Sequence, residues 1–436
     1  MTRPASTATA LLAHTPALLA GRCAKLLLRL LLRRSGSAVP GLVVDTLAPR
    51  LVGRALGGFR EGLVVVTGSA GKSTTTAMLA AILRSHGLSV FTNESTANLR
   101  RGVTSAVVHA ASLLGRIDAD IAVVELDEAA AASMADELDP RVVVLTNVMS
   151  DQLDRFESAQ RVAGLLASIA GRATQRVVAN LDDGHLVEVA GGLDAPVSWF
   201  GSTSSLRGTM RNGLGYARAS TTGGSAAHTV LTGVSGPHAV VDSNGTHLEI
   251  ALPARGAHFA MDAAAAVEAA ATILGGRFDA ATVQLAFDGL RPVFGRGELV
   301  VVDGEEVELV LVQNRSSFQL NLDELEPRPE QILLAVGSDV RDPSWLWSVQ
   351  TSSLEHVDMV TGSKAYDLAL QLAYAGVSAD TVEPELADAL PRFLALPRPS
   401  SGRKTLVFSA DPMRRIRRQL GLDGTGAAVP SRQVAA

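Results

Sequence analysis

The sequence predicts an α/β protein whose strands lie in parallel sheets covered on both faces, and three observations carry that prediction. Short apolar runs, "LVVV" (63–66), "IAVVEL" (121–126), "RVVVLTN" (141–147) and "RVVAN" (176–180), alternate with helical sequence. Each run is nearly continuous in apolar residues, the pattern of strands buried from both sides. A Gly-bounded turn joins the first run to the helical stretch "TTTAMLAAILRSHG", which Gly87 closes. Past residue 298 the rhythm resumes in "VELVLV", "ILLAVG", "VDMVTG" and "TLVFSA".

Taken in order, residues 1–56 read as a helical segment, with the turn "SGSAVPG" ahead of Gly57 and Gly58. Inside it, "LLAGRCAKLLLRLLLRRSG" (18–36) spaces Arg22, Lys25, Arg29 and Arg33 as one basic stripe of a helix, with leucines opposite. Such a helix either packs its leucines on the protein's own core or lies on an anionic membrane surface. The same basic residues interrupt the run as a bilayer span, and it lacks the flanks of a cleaved signal. Residues 57–298 form a central α/β domain. Within it, about 200–250 is rich in Gly, Ser and Thr with alternating pieces such as "HTVLTGV" and "HLEIALP", predicting small antiparallel strands inserted as a β-rich subdomain. Residues 299–421 form a smaller Rossmann-like α/β domain, and 422–436 a loose tail.

Composition narrows the function. A chain of 436 residues has room for two or three domains. A net charge of −5 lacks the basic excess of a nucleic-acid binder. Cys23 is the only cysteine, which excludes a disulfide framework and a cysteine-based zinc site and suits a reducing cytoplasm.

The chemistry concentrates in "VVVTGSAGKSTTTAML" (64–79). The common phosphate-loop pattern needs four residues between its first Gly and its Gly-Lys, whereas Gly68 and Gly71 enclose only Ser69 and Ala70. A strand, a tight turn and a helix entrance still aim backbone N–H groups at an anion. Lys72 would meet the outer phosphates and Ser73 would place its hydroxyl on Mg²⁺. The next run ends in "VVELDEA", offering Glu125, Asp127 and Glu128 at the sheet edge where α/β folds bind ligands. A carboxylate beside a triphosphate most often serves Mg²⁺, and of the three Glu128 is expected to be a solvated helix-start residue. The third and fourth runs end in Asn147, Asp151 and Asp154, and in Asn180, Asp182 and Asp183.

Together these residues resemble the Mur ligase superfamily, whose phosphate loop reads T-G-x-x-G-K-[ST]-[ST], as Thr67 to Thr74 do. Its Asn-x-x-x-Asp-x-Leu-Asp stretch matches Asn147, Asp151, Leu153 and Asp154. Its Gly-x-His matches Gly256 and His258, and its Gly-Arg-x-Glu matches "GRGE" at 295–298. Within the superfamily the chain looks most like the MurT subunits of lipid II isoglutaminyl synthase, through "SGSAVPG", "TNESTANLRRG" (92–102), "DVRDPSWLW" and "VTGSKAYDLALQLAYAGV".

The resemblance implies a P-loop-type central domain that binds ATP and a C-terminal domain that docks a partner. Thr67, Gly68, Ser69, Ala70, Gly71, Lys72, Ser73 and Thr74 would hold the phosphates, with Asn147 and Asn180 nearby. Ser73 and Glu125 would hold Mg²⁺, and Arg296 would reach the nucleotide from the domain edge. The reaction implied is phosphorylation of the D-glutamate α-carboxylate in the lipid II stem peptide, followed by amidation. A GatD-like glutaminase would supply ammonia as the second subunit of a heterodimer. Asp342, with Asp339 as competitor, would complete that partner's Cys–His triad. His258 is expected to support the local fold, and Asn98 to line the substrate side. The resemblance implies work in the cytoplasm, with the inner face of the membrane as a further place of contact.

Four departures accompany the resemblance. The four-cysteine zinc ribbon usual in MurT proteins has no cysteine here, so zinc is not expected. The superfamily's Gly-x-His-Asn-x-x-Asn has Phe259 and Asp262 at its two Asn positions, the first of which helps to read adenine. A Lys-Asn-Pro-like turn is reduced to "QNRSS", keeping Asn314, and a Trp-x-Trp-Asp-like ending is "WLWSV", with Ser348 last. Three alternatives stay open: a ligase amidating another carboxylate, a catalytically weak scaffold for a glutaminase, and a P-loop switch ATPase. The "GRGE" and "DQLD" matches count against the last.

Overall fold

A computed structural model describes residues 16, 19, 39–48, 50–93, 97–112, 114–149, 158–210, 213–222, 227–292, 295–325, 329–341 and 343–422. The basic stripe of 18–36 and the tail after 422 lie outside this set, apart from Leu19. The chain divides into two compact units, Met1–Leu252 with Ala257–Leu290, and Pro253–Gly256 with Arg291–Ala436. "GRGE", read from the sequence as the end of the central domain, therefore opens the second unit.

Among the described residues the first unit has two short helices ahead of its sheet, α1 (Val39–Leu47) and α2 (Leu51–Leu56), and is built on one nine-stranded sheet. Its strands are β1 (Leu63–Thr67), β2 (Val90–Phe91), β3 (Ile121–Glu125), β4 (Val142–Leu145), β5 (Arg176–Asn180), β6 (Val197–Ser202), β7 (Thr229–Ser235), β8 (His238–Ser243) and β9 (Thr246–Ala251). They lie in the order β2-β3-β1-β4-β5-β6-β7-β8-β9. Strand β1 sits between β3 and β4, pairing in parallel with both, so that Val64 lies beside Val123 and Val142.

Alternation along these strands divides their side chains between two faces. Leu63, Val65, Ala122, Val124, Val143 and Leu145 join one core with Leu51 and Leu56 of α2. Val103 and Val107 of α4 (Arg100–Ala110), Met134 of α5 (Glu128–Met134) and Leu166 of α6 (Ala159–Ala170) complete it. The intervening Val64, Val66, Val123, Val142 and Val144 are equally buried. Their side is covered by α3 (Lys72–Ser85), which packs on β1 and β3, and by α9 (Ala257–Leu274), which packs on β4 to β8. Each fully buried Val or Leu contributes about 1.5–3 kcal/mol by transfer, as an upper bound. By length and apolar content the α9 region, Ala257–Arg277, is long enough to cross a membrane, yet it is mostly buried and serves as a core helix.

The predicted strands of 200–250 exist, but they do not form an inserted subdomain. Strand β7 pairs in parallel with β6, Phe200 beside Thr229, and β8 and β9 follow as antiparallel neighbours. The main sheet simply continues. The pairing follows from two tight hairpins, Gly236-Pro237 and Asn244-Gly245. In the second, both residues take positive φ (51° and 81°), the geometry that two-residue hairpins need.

The second unit holds a six-stranded sheet in the order β10-β11-β15-β12-β13-β14. Its strands are β10 (Arg296–Val302), β11 (Glu305–Leu311), β12 (Gln331–Ala335), β13 (His356–Thr361), β14 (Ser378–Glu383) and β15 (Lys404–Phe408). Only β10 and β11 are antiparallel; the other pairings are parallel. Alternate residues again feed two cores. Ile332, Leu334 and Val407 face Phe318 of α11 (Arg315–Asp323) and Leu368 and Leu372 of α12 (Ala365–Tyr374). Leu333, Leu406 and Phe408 face Phe393 of α13 (Leu386–Leu394) and Met413 and Ile416 of α14 (Ala410–Gln419).

Candidate active site

The phosphate loop stands where β1 leaves the sheet between two parallel neighbours. Gly68 has φ 134° and Gly71 has φ 80°, both in the region that favours glycine. Space imposes the same choice. A Cβ on Gly68 would lie 2.2 Å from Thr146 Oγ1, and one on Gly71 would lie 2.0 Å from Asp262 Oδ1. Gly71 turns the chain into α3, and the first helical bond runs from the Thr75 N–H to the Gly71 carbonyl at 2.9 Å. The N–H groups of Lys72, Ser73 and Thr74 precede that bond and have no acceptor within the helix, so they are the anion-facing donors.

The amides of Ser69 and Ala70 have a different task from the one the sequence suggests. Ser69 N–H donates to the Asn147 carbonyl at 2.9 Å, and Ala70 N–H donates to Asn147 Oδ1 at 2.8 Å. Asn147 Nδ2 returns a bond to the Ala70 carbonyl at 3.2 Å, and Thr146 Oγ1 donates to the same oxygen at 2.7 Å. Asn147, placed by β4 next door, therefore shapes the loop. Thr67 Oγ1 is sealed inside with no hydrogen-bond partner among the described residues.

Lys72 folds back over its own loop, with Nζ donating to the carbonyls of Gly68 at 2.5 Å and Ser69 at 3.3 Å. Its third neighbour is Glu128 Oε2, 3.5 Å away. Glu128 is 1% exposed, which corrects the expectation of a solvated residue. Asp127 is the N-cap of α5, accepting from Ala129 N–H at 3.2 Å, and this places Glu128 in the first turn facing inward to the lysine. Glu125, also buried, ends β3 beside β1. Asn98 Nδ2 donates to Glu125 Oε1 at 2.9 Å, while Asn93 holds the Glu125 backbone at both its N–H (2.9 Å) and its carbonyl (3.0 Å). Asn98 thus orients a carboxylate, a role that only its tertiary position reveals.

At the next strand end the acids and amides are architectural. Asn180 Nδ2 donates to the Thr146 carbonyl at 3.1 Å and to Tyr216 Oη at 2.9 Å, which commits both of its hydrogens behind the loop. Asp182 accepts from Ser202 and pairs with Arg207. Burial, partly offset by these partners, raises its pKa. Asp183 accepts from the Val148, His185 and Leu186 N–H groups and caps α7 (Gly184–Gly191); burial pushes its pKa up to about 6. Asp151 and Asp154 lie outside the described residues. His258, at the start of α9, packs on Phe259 with ring centroids 4.3 Å apart, and its sealed Nδ1 has no partner among the described residues. Burial lowers its pKa to about 4, so it is neutral near neutral pH and suits a packing role. Asp262 is buried one turn later, against Gly71.

In the second unit Arg296 opens β10, and Glu298 closes the same turn by accepting from Gly295 N–H at 2.8 Å and pairing with Arg417. Asp339 is fully engaged. It accepts from Ser409 Oγ (2.8 Å), Ala410 N–H (2.9 Å) and Asp411 N–H (3.0 Å), capping α14 from outside the helix. Asn314 and Ser317 form the capping box of α11, and Ser348 Oγ donates to the Trp345 carbonyl at 2.7 Å inside a turn. Asp342 lies outside the described residues.

The comparisons agree with this division. Residues 66–270 match the Mur ligase middle domain, and residues 311–402 match the MurT ligase C-terminal family. The chain is 27% identical over 406 residues to the MurT subunit of lipid II isoglutaminyl synthase (glutamine-hydrolyzing) from Streptococcus pneumoniae, spanning 84% of this chain and 88% of that relative. Among solved structures, MurF of Acinetobacter baumannii superposes with a TM-score of 0.66 at 16% identity, over 88% of this chain and 81% of MurF. MurF of Thermotoga maritima, in complex with ADP, gives 0.64 at 20% identity, over 87% and 83%. With a Mur-type phosphate loop in one unit and a MurT-type domain in the other, the chain is a MurT-like member of the Mur ligase superfamily.

Proposed function

We propose that this protein is the ATP-dependent ligase subunit of a glutamine-dependent amidotransferase that converts the stem-peptide D-glutamate of lipid II to D-isoglutamine. The observation that carries the reading is the junction of a preformed phosphate loop, with Lys72 and Glu125 at its edge, to a domain of the MurT C-terminal family. The relative from Streptococcus pneumoniae is named as a subunit, which supports a two-component enzyme.

In the proposed reaction a carboxylate oxygen attacks the γ-phosphorus of ATP and ADP leaves. Ammonia then attacks the acyl carbon, phosphate departs and the nitrogen loses a proton. Phosphoryl transfer needs little covalent help; it needs positioning and charge stabilisation. The N–H groups of Lys72, Ser73 and Thr74 receive phosphate oxygens, and the Lys72 ammonium neutralises charge on the group in transfer. Asn147 keeps the loop in shape for this.

Ser73 and Glu125 fit a hard divalent cation, because both offer oxygen and Asn98 already fixes the carboxylate's direction. Mg²⁺ held there would screen the phosphates.

The second subunit is a GatD-like glutaminase whose triad Asp342 completes. Asp339 is occupied in capping α14, which leaves Asp342 as the candidate. An exposed apolar stripe supports a docked partner nearby. Tyr366, Leu370 and Tyr374 follow one another every four residues along α12 and are 71%, 53% and 78% exposed. Trp347, from the turn Pro343–Ser348 that follows Asp342, packs edge-on against Tyr374 with centroids 5.4 Å apart. Clustered exposed aromatics of this kind are typical interface anchors. Work of this type belongs in the cytoplasm at the inner membrane face, where the basic stripe of 18–36 would meet anionic lipid.

The test is amidation of lipid II, followed by mass spectrometry, with the purified chain, a GatD-like glutaminase from the same organism, ATP and glutamine. Amidation that requires both proteins and ATP is expected; ATP hydrolysis without any amidated product would overturn the proposal.

A further inference from the structure

Glu128 stands beside the phosphate loop with no task in the proposed chemistry. Its carboxylate is buried, and neither oxygen accepts a hydrogen bond among the described residues. The compensating charge is the Lys72 ammonium at 3.5 Å, itself largely shielded from water. A buried carboxylate is tolerated when paired and costly when its partner leaves. Lys72 is closely surrounded as well. An ammonium has three hydrogens, and its neighbours here are the Gly68 carbonyl at 2.5 Å, the Ser69 carbonyl at 3.3 Å and Glu128. Of these neighbours only Glu128 carries a charge that competes with incoming phosphate for the lysine.

We propose that Glu128 is a positioning residue, a counter-ion that competes with nucleotide phosphate for Lys72. This rests on the reading of the loop as an ATP site. The carboxylate competes with phosphate for the lysine and weakens nucleotide affinity, so that ADP leaves after transfer as Lys72 returns to Glu128. Removing the charge while keeping the shape should free the lysine and tighten binding.

The experiment is a double-mutant cycle on the intact chain, read by calorimetric titration with ADP. Glu128→Gln is expected to lower the ADP Kd about tenfold. In a Lys72→Met background the same change should alter Kd less than about twofold, because no lysine remains to release. Steady-state assays should show KM for ATP falling while kcat does not rise. Equal tightening in both backgrounds would mean simple repulsion by Glu128 and would overturn the proposal, as would an unchanged or weaker Kd in Glu128→Gln. Should that variant melt too low for titration, Glu128→Asp draws the carboxylate back by one methylene and should tighten ADP about threefold; no change would again overturn the idea. A wild-type chain that binds no ADP would instead remove the nucleotide-site reading, and this inference with it.

Discussion

Asn147 clasps Ala70 from both sides of the peptide, accepting from its N–H at 2.8 Å and donating to its carbonyl at 3.2 Å. A residue on the neighbouring strand thereby sets the curvature of a loop 77 positions away in sequence. Replacing Asn147 with Ala removes both bonds and leaves the polar atoms of Ala70 underused. We expect KM for ATP to rise about tenfold with a smaller loss in kcat, the split of a loop that is misaligned but not disarmed. A variant with wild-type KM would show that the clasp is dispensable.

Lys72→Ala should reduce ATP-dependent amidation by about a thousandfold. It should also destabilise the fold, because Glu128 then remains buried without its cation, at a cost of about 3–5 kcal/mol. Lys72→Met combined with Glu128→Gln should recover much of the melting temperature and none of the activity. Thermal melts beside turnover assays separate the two effects.

The two aspartates of "GSDVRD" should behave differently. Asp342→Asn is expected to abolish glutamine-dependent amidation while free ammonia restores it, since only ammonia supply is broken. Asp339→Ala instead strips three hydrogen bonds from the entrance of α14. It should lower the melting temperature by a loss of about 1–2 kcal/mol, and ammonia should not repair that defect. Rescue of both variants by ammonia would contradict the assignment.

Tyr366→Ser with Tyr374→Ser should weaken binding of the glutaminase by about a hundredfold or more, measured by titration, and leave ammonia-driven amidation within about twofold of wild type. Unchanged binding would place the partner elsewhere.

Acid sensitivity should trace in part to His258. Its folded pKa lies near 4, below the ordinary value of 6.5. A lowered histidine pKa means that the unfolded chain takes up the proton first, so stability is fully present above about pH 6.5 and declines as pH falls toward 4. His258→Asn should flatten that part of the profile by about 1–3 kcal/mol in chemical denaturation at pH 7 compared with pH 4.5. Parallel profiles for the two proteins would refute it.

The fold was readable because β1, β3, β4 and β5 are apolar on both faces, a pattern that only a covered parallel sheet explains. The phosphate loop was readable for a related reason. Gly68 and Gly71 are demanded by local backbone angles, which leave their mark in a few adjacent letters. Glu128 was misjudged because an acid in the first turn of a helix is usually solvated, and its burial depends on where Lys72 arrives from another strand. Asn180 read as a ligand residue, yet both of its hydrogens go to Thr146 and Tyr216, contacts that no local pattern encodes. The strands after residue 228 showed their alternation but not their neighbour; that β7 would lie beside β6 is a fact of chain return, not of composition.

One further consequence lies in α9. Its residues Ala263, Ala264, Ala265, Ala266, Ala269 and Ala270 are all fully buried, and its second turn carries Asp262 to the back of Gly71. The helix lies beside α3 on the same face of the sheet and packs against both with side chains only one methyl deep. A wider residue on the side that meets α3 would press on that helix and, through Asp262 behind Gly71, on the loop. Evolution of this ligase is then freer at the substrate edge, where loops can lengthen, than along this strip of alanines, where the dimensions of the phosphate site are kept by side chains that never touch it.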